Sequence, residues 1–410
     1  MKNMESLNKI IRHAYETVPF YKELLEEEEC LEIEKLPIVD KKQMIESGRS
    51  MLSTRYMGQY LTKQLKWTRT SGSSGMIHEI FWNKVDEKKS MMGLWFLRWK
   101  YYKISPAQKL CFFFLADIND EECMETDRVL AISRKSLFDG TFIEAYQHIK
   151  QYKPEWMILQ PGVAAMLCDM AEQYGIWEGL KYIEFTGEYL PETVRKRVEN
   201  TFHCATANQY GTKEVNSIAY ECPEGNLHVM DHNVYVEIEP FTEQERAAGT
   251  GHVIVTARHN KVMPFIRYDT GDIAGWKDVS CTCGCHGAVL ELTGARKDDM
   301  IRLQDGQRIS ANLFRRVIQA VECCMEGRIY QYQVRQTTVD TFEIFMATDG
   351  EPEEIEGLFC EFIRDSLVGE AAFLFRYYEQ LLPDELTGKL KFFWCMIPEQ
   401  TGDVESVADQ

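Results

Sequence analysis

The chain has 410 residues, of which 45% are hydrophobic and 12% aromatic. That is ample core material for two or three domains, and it excludes bulk disorder. The 64 acidic against 46 basic residues leave a net charge of −18, so neither nucleic acid nor an anionic membrane is an expected partner, and an anionic ligand would need its own local donors.

The N-terminal stretch "MKNMESLNKIIRHAYETV" is amphipathic and lacks the apolar core of an export signal. The greasiest run, "LCFFFLA", is too short to span a bilayer and reads as a buried strand. The expected compartment is the cytoplasm, with most of the 13 cysteines reduced. Residues 4–30 read as amphipathic helix, interrupted at "TVPFYKELL", where Pro19 opens a new helix. In "LPIVDKKQMIES", Asp40 is placed to cap the helix that follows.

The stretch "KWTRTSGSSGMIHEIFW" then sets a segment of only Thr, Ser and Gly, Thr70 to Gly75, between aromatic-rich flanks. Such a loop can turn closely spaced backbone N–H groups and hydroxyls toward one anion, which suits a phosphate. It lacks the Gly-Lys-Ser/Thr ending of a Walker loop and the Gly-x-Ser-x-Gly of a nucleophile elbow. A solvated linker is the other reading of it. Roughly Asp86 to Tyr102 reads as a helix heavy in Trp, Phe and Met; Trp95, Phe96, Trp99, Tyr101 and Tyr102 suit core packing first and an apolar acid pocket second. From about 108 to 240, "LCFFFLA", "VLAIS", "WMILQ" and "YIEFTG" alternate with helical stretches, the pattern of an α/β sheet covered by helices.

Beyond about 300 the pattern changes to a β-α-β-β-α-β unit. "MIRLQDGQRIS" reads as a hairpin and "ANLFRRVIQAVECC" as a helix. "IYQYQVRQ" and "TFEIFMATDG" read as strands, "PEEIEGLFCEFIRDSLV" as a helix and "AAFLFRYYE" as a strand. The charged segment "GARKDDM" marks the boundary between two domains, 1–297 and 298–410.

Five motifs in order are informative together: the Ser/Gly loop, "QYGTKE", "IRYDTGD", "GARKDD" and "LTGKLKFF". With "AYETVPFYKELL", "LPIVDKKQM" and "YECPEGNLHVMDHNVYVEI", the chain resembles the adenylate-forming superfamily of acyl-CoA synthetases, in particular its phenylacetate–CoA ligase-like branch. The resemblance runs over essentially the whole chain. It implies a large N-terminal α/β adenylate-forming domain and a small mobile C-terminal α+β domain. It also implies an ATP-dependent ligase that joins a carboxylic acid to AMP, releases pyrophosphate, and passes the acyl group to a thiol such as coenzyme A. An aromatic or other apolar acid is the expected substrate; a carrier-protein thiol or an amine is the alternative acceptor.

The roles carried over follow the physics of setting two anions against each other, which demands positive charge and hydrogen-bond donors. Thr70, Ser71, Gly72, Ser73, Ser74 and Gly75 would cradle the β- and γ-phosphates. Glu214 would hold Mg²⁺, a hard ion that takes oxygen ligands. Tyr210, Gly211 and Thr212 would lie along the nucleotide, and Asp272 would accept from the ribose hydroxyls. Arg296 would sit on ribose and phosphate, and Lys389 would bring a point charge to the reacting groups, with Lys391 as its competitor. Asp298 falls where such enzymes rotate the small domain. Gly187 and Glu188 border the acyl site, where the carboxylate would meet an amino or hydroxyl group.

Two departures stand out. Ile77 and His78 occupy positions where many relatives carry Pro and Lys, and Ala295 replaces a glycine, with Gly294 one earlier. The lost lysine keeps a second reading open, a nucleotide- or acyl-binding relative without turnover.

"CTCGCHG" places Cys281, Cys283, Cys285 and His286 close together. C-x-C spacing lets two thiolates grip one zinc ion, which prefers four S/N ligands. The remaining ligands are either local or Cys222 and His228 in "ECPEGNLH"; the resemblance favours Cys222, His228, Cys281 and Cys283 around a structural Zn²⁺. Reduced thiols without metal are the alternative. Oligomeric state is left open between monomer and homodimer.

Overall fold

A computed structural model describes residues 2–25, 32–70, 78–114, 123–137, 140–297, 299–304, 308–325, 327, 329–364, 371–382 and 390–397. It divides into two compact units, Met1–Asp298 with Leu382–Leu390, and Asp299–Leu381 with Lys391–Gln410.

The first unit opens with the helix Lys2–Thr17, and Pro19 starts the helix Pro19–Leu24, because its fixed φ suits a first helical turn. Tyr21 buries its ring and pins this segment down. Its hydroxyl donates to the Pro264 carbonyl (3.1 Å) and accepts from the Ile266 N–H (3.0 Å). Asp40 forms a full capping box with Gln43, as its position implied. A hairpin follows, β1 (Lys66–Thr70) against β2 (His78–Trp82), in the register Lys66↔Trp82 to Thr70↔His78.

The remaining strands of this unit are β3 (Leu110–Phe114), β4 (Cys123–Glu125), β5 (Val129–Ser133), β6 (Trp156–Leu159), β7 (Tyr182–Thr186) and β8 (Ala205–Thr212). After them come β9 (Asn216–Glu221), β10 (Leu227–Val229), β11 (Val234–Glu239), β12 (Thr250–Ala257), β13 (Tyr268–Lys277) and β14 (Val289–Arg296). They form one sheet in the order β11-β12-β13-β14-β10-β9-β8-β7-β6-β3-β5-β4. From β5 through β3, β6 and β7 to β8 neighbouring strands run parallel; from β8 to β11, and at the β4 edge, they run antiparallel. The parallel half explains the unbroken apolar runs, since helices cover both faces of such strands. In β3 the burial alternates: Cys111 and Phe113 are buried, while Leu110, Phe112 and Phe114 are half-buried.

The aromatic helix Lys84–Tyr102 is capped by Asn83, whose side chain accepts from the N–H groups of Val85 and Asp86. It buries Asp86, Ser90, Leu94 and Arg98, one residue per turn. Its aromatics split between two environments. Trp95, Tyr101 and Tyr102 pack with Trp156, Tyr182 and Tyr220, whereas Phe96 and Trp99 are more than half exposed. Under the helix, Arg98 grips Glu184 of β7 with two hydrogen bonds, 2.7 and 2.5 Å, and both groups are buried. Removing either partner would strand a buried charge at a cost of about 3–5 kcal/mol.

The second unit contains a separate hairpin, β15 (Met300–Arg302) and β16 (Arg308–Ser310), the helix Asn312–Cys324, the long pair β17 (Ile329–Thr338) and β18 (Thr341–Thr348), and the helix Pro352–Ile363. β19 (Ala372–Tyr377) and β20 (Phe393–Cys395) complete a four-stranded sheet in the order β19-β18-β17-β20. The opening hairpin therefore stays outside the main sheet, and its place is taken by β20, parallel to β17. Phe314, Phe342, Phe359 and Phe393 form the fully buried centre of this unit. Lys391 pairs with the buried Asp299 at 3.3 Å and stands over the Trp394 ring, a packing role for the lysine that competed with Lys389.

Candidate active site

The carboxyl ends of the parallel strands gather the polar residues. Arg134 follows β5, Gln160 follows β6, Gly187 and Glu188 follow β7, and Lys213 and Glu214 follow β8. In open α/β sheets this edge is where ligands bind.

At the end of β8 the strand pairing shifts register between Tyr210 and Gly211. A Cβ on Gly211 would stand 2.3 Å from the Asn216 carbonyl, so no other residue fits the close approach. The shift delivers the Tyr210 hydroxyl to Asp272, to which it donates at 2.8 Å. Burial first, then the Asp272 charge, holds that phenol well above its ordinary pKa. Asp272 lies on β13 directly opposite Arg296 on β14. Their side chains pair at 3.1 Å, and Arg296 also donates to the Thr270 carbonyl at 3.0 Å. Tyr210, Asp272 and Arg296, from three distant motifs, thus meet in one contact set.

Glu214 is buried and accepts from the Tyr268 hydroxyl at 3.0 Å. His78, at the start of β2, is also buried. Burial lowers its pKa, opposed by the Glu214 charge, which favours the neutral ring. The Thr212 hydroxyl oxygen and the Gln160 side-chain oxygen are buried without a hydrogen-bond partner among the described residues. Buried orphan acceptors cost free energy unless a ligand or water meets them. A polar ligand that donates to the Gln160 oxygen and meets the Thr212 hydroxyl would satisfy both.

Gly187 has φ +83°, and Glu188 accepts from the Gly162 N–H at 3.2 Å, at the start of the helix Pro161–Tyr174. That contact occupies one Glu188 oxygen with the helix N-terminus, a favourable place for a carboxylate. At the start of the boundary segment, Gly294 itself takes the left-handed turn, φ +72°, against the Tyr189 ring, and Ala295 is buried. Thr70 closes β1. Ser71, Gly72, Ser73, Ser74, Gly75, Asp298 and Lys389 lie outside the described residues.

Sequence reasoning missed a second set beside Asp272. Asp269 holds Lys297 at 2.9 Å and His252 at 3.2 Å and accepts from the Gly271 N–H at 2.8 Å. Burial pushes this carboxyl up, but the hydrogen bonds from His252 and Lys297 and the Lys297 charge bring it below its ordinary value. Asp269 and Lys297 both sat in quoted motifs, three positions before Asp272 and one after Arg296. Gln160 and Tyr268 also lay in quoted stretches, "WMILQ" and "IRYDTGD", without being singled out.

The cysteine cluster also assembles. The ligand atoms of Cys222, His228, Cys281 and Cys283 all lie within 4.8 Å of one another. Cys222 and Cys281 sulfurs are 3.6 Å apart, and Cys283 Sγ is 3.4 Å from His228 Nε2. His228 Nδ1 donates to the Gly287 carbonyl at 2.8 Å, which leaves Nε2 with its lone pair toward the sulfurs, the arrangement of a metal-ligating histidine. The described cysteines are free thiols. The Cys283 backbone amide, first among its partners, lowers Cys281 to about 6, and burial pushes Cys222 up to about 12.

No protein-family model matches the chain. It is 26% identical over 209 residues to the phenylacetate-coenzyme A ligase of Thermus thermophilus, covering 48% of this chain and 46% of that protein. It is 27% identical over 186 residues to the phenylacetate-coenzyme A ligase of Aromatoleum evansii, covering 43% and 40%. The chain thus spans less than half the length of these curated relatives. Among solved structures, 2-hydroxyisobutyryl-CoA ligase in its postadenylation state superposes with a TM-score of 0.73 at 15% identity, over 95% of this chain and 88% of that one. Anthranilate CoA ligase with anthranoyl-AMP gives 0.52 at 13% identity, over 79% and 65%. The chain has the adenylate-forming fold, and its sequence relatives lie in the phenylacetate–CoA ligase-like branch.

Within that fold, the edge bearing Tyr210, Asp272 and Arg296 is one site and the cysteine cluster another. The first keeps half-exposed charge and unmet oxygens; the second turns four ligand atoms inward.

Among the described residues no helix is long and apolar enough to cross a membrane.

Proposed function

We propose that the chain is an AMP-forming carboxylate–thiol ligase. The observation that carries this reading is the convergence of Tyr210, Asp272 and Arg296 beside Glu214 and the unmet Thr212 hydroxyl at the carboxyl edge of the sheet. An acid's carboxylate oxygen attacks the α-phosphorus of ATP, the bond to the bridging oxygen breaks, and pyrophosphate leaves. Both reactants are anions, so Arg296 and Lys389 are the proposed cations, Asp272 the ribose acceptor, and residues 70–75 the phosphate cradle. Mg²⁺, held by Glu214, would neutralise phosphate charge. Asp298 is the proposed pivot between adenylation and transfer.

The cysteine set fits Zn²⁺ in donor type, number and tautomer. Four protein ligands leave no open coordination position, so zinc would hold the β10 and Cys281–Cys285 loops together rather than act on substrate. The acceptor we infer is the thiol of coenzyme A, supported by the relatives named above, and the acid is aromatic or otherwise apolar.

The second reading, a binder without turnover, is favoured by His78, a buried ring with lowered pKa where relatives carry lysine. The test is pyrophosphate release from ATP and Mg²⁺ across a panel of aromatic and aliphatic acids, followed by coenzyme A, a carrier protein or an amine as acceptor. Release with one acid class supports the ligase. ATP binding without release across the panel supports the binder, and absence of ATP binding removes both.

A further inference from the structure

Far from the motifs, three residues form a relay on the β4 edge. Cys123 and Glu125 are two apart on β4, so their side chains share one face of the strand. His148 reaches them from the helix Phe142–Tyr152. Cys123 Sγ lies 3.6 Å from His148 Nδ1, and His148 Nε2 lies 2.5 Å from a Glu125 carboxylate oxygen.

A carboxylate can only accept, so Nε2 carries the hydrogen and Nδ1 turns its lone pair to the thiol. The imidazole can then take the thiol proton, and Glu125 steadies the imidazolium that results. This is the logic of an activated nucleophile: thiol, base, and a third group that orients the base. The sulfur and the carboxylate oxygen touch opposite ring nitrogens, so the three donors do not converge on one point as metal ligands would. β4 is the outermost strand of its sheet; Cys123 is only partly buried, packed on the core beneath, and His148 beside it is 37% exposed, which gives a small reagent a path to the sulfur.

Among the described residues, the ionisable groups around the relay include the buried Cys111 thiol, Tyr152, Asp127 and Lys109, whose ammonium stands 4.7 Å from the Tyr152 ring centroid. Burial pushes Cys168 up to about 11 and Cys204 up to about 12.

We propose that Cys123 is a reactive thiol that forms a reversible mixed disulfide with small disulfides, activated by His148 with Glu125 behind it. The Cys123 thiolate attacks one sulfur of the disulfide and that S–S bond breaks. The departing thiolate takes the proton held on His148. One S–S bond forms for each broken; Cys123 is oxidised and one half of the small disulfide is reduced to its thiol. Glu125 and Asp127 favour a cationic disulfide, so cystamine is the probe.

The test treats the intact protein at pH 6.5 with limiting iodoacetamide, and separately with cystamine, and reads each cysteine by peptide mass mapping. The exposed thiols Cys324 and Cys360 serve as internal references. Cys123 is expected to react about tenfold faster than they do, because a base stands against its sulfur and none is placed against theirs. His148→Gln should bring the ratio to near one, and Glu125→Gln should lower it several-fold. Cystamine should cap Cys123 in the wild type, reversibly with dithiothreitol. Circular dichroism checks that His148→Gln folds; if it does not, Glu125→Gln, on an exposed side chain, decides. Equal rates at Cys123, Cys324 and Cys360, or a ratio untouched in the folded variant, would overturn the proposal.

Discussion

The edge that carries Tyr210, Asp272 and Arg296 and the cysteine cluster are assembled in opposite ways. At the edge, Tyr210, Asp272 and Arg296 come from strands β8, β13 and β14 and satisfy one another only in part, while the Thr212 oxygen is left unmet. In the cluster, Cys222, His228, Cys281 and Cys283 face one another, and His228 is held from behind by the Gly287 carbonyl. An open set of donors can exchange partners with a passing ligand, and a closed set of ligands can hold only what is bound for good. On the proposed reading, the difference separates a place for chemistry from a staple.

The largest effect should fall on the open site alone. Lys389→Ala is expected to cut acid-dependent pyrophosphate release by about 10²–10³-fold, the loss typical when a transition-state charge partner is removed, with the melting temperature unchanged. Equal release in the variant would take Lys389 out of the chemistry and leave its proposed role to Arg296. Next, Cys281→Ser should cost the bound zinc, measured as metal per chain, and lower Tm by roughly 5 °C or more. If the variant kept its Tm but lost turnover, the cluster would belong with the chemistry and the contrast would collapse.

A smaller change sharpens the edge. Tyr268→Phe removes the hydrogen bond to Glu214, worth about 1 kcal/mol. It should shift the Mg²⁺ midpoint of adenylation by roughly fivefold, and an unmoved midpoint would take Glu214 out of the metal's reach. The smallest effect is on pH. Burial lowers the folded-state pKa of both His13 and His78, so the unfolded chain binds more protons below about 6.5. Stability is therefore fully present above that pH and falls as pH drops from it toward the folded values, by at most about 1.4 kcal/mol per pH unit for each histidine. Urea unfolding at pH 7.0 and 5.5 checks the sign, and His78→Gln should flatten the slope.

Much of the fold was legible because local signals were strong. Pro19 begins a helix, Asp40 completes a capping box, and the apolar runs from Leu110 to Thr186 supply β3, β5, β6 and β7. The aromatic helix was only half read. Periodicity marked it as a helix, but Phe96 and Trp99 face outward while Arg98 and Asp86 are buried. An arginine goes inside when a carboxylate waits there, and Glu184 sits on a strand 86 residues away. Of the candidate site, the motifs pointed to Tyr210, Asp272 and Arg296, and their neighbours Asp269 and Lys297 went unremarked. The Cys123 relay left no trace in the sequence, since His148 lies outside any motif that contains Cys123.

The chain by itself carries the identity of its elements and the chemistry of its motifs. Caps, turns and apolar periods act over a few residues, and one-dimensional spacing records them. Which side chains meet is a matter of strand order. β14 lies beside β13 and β10 beside β14, and only that arrangement sets Arg296 against Asp272 and brings His228 to Cys283. Such contacts join residues by packing rather than by spacing, so the tertiary structure alone could decide them.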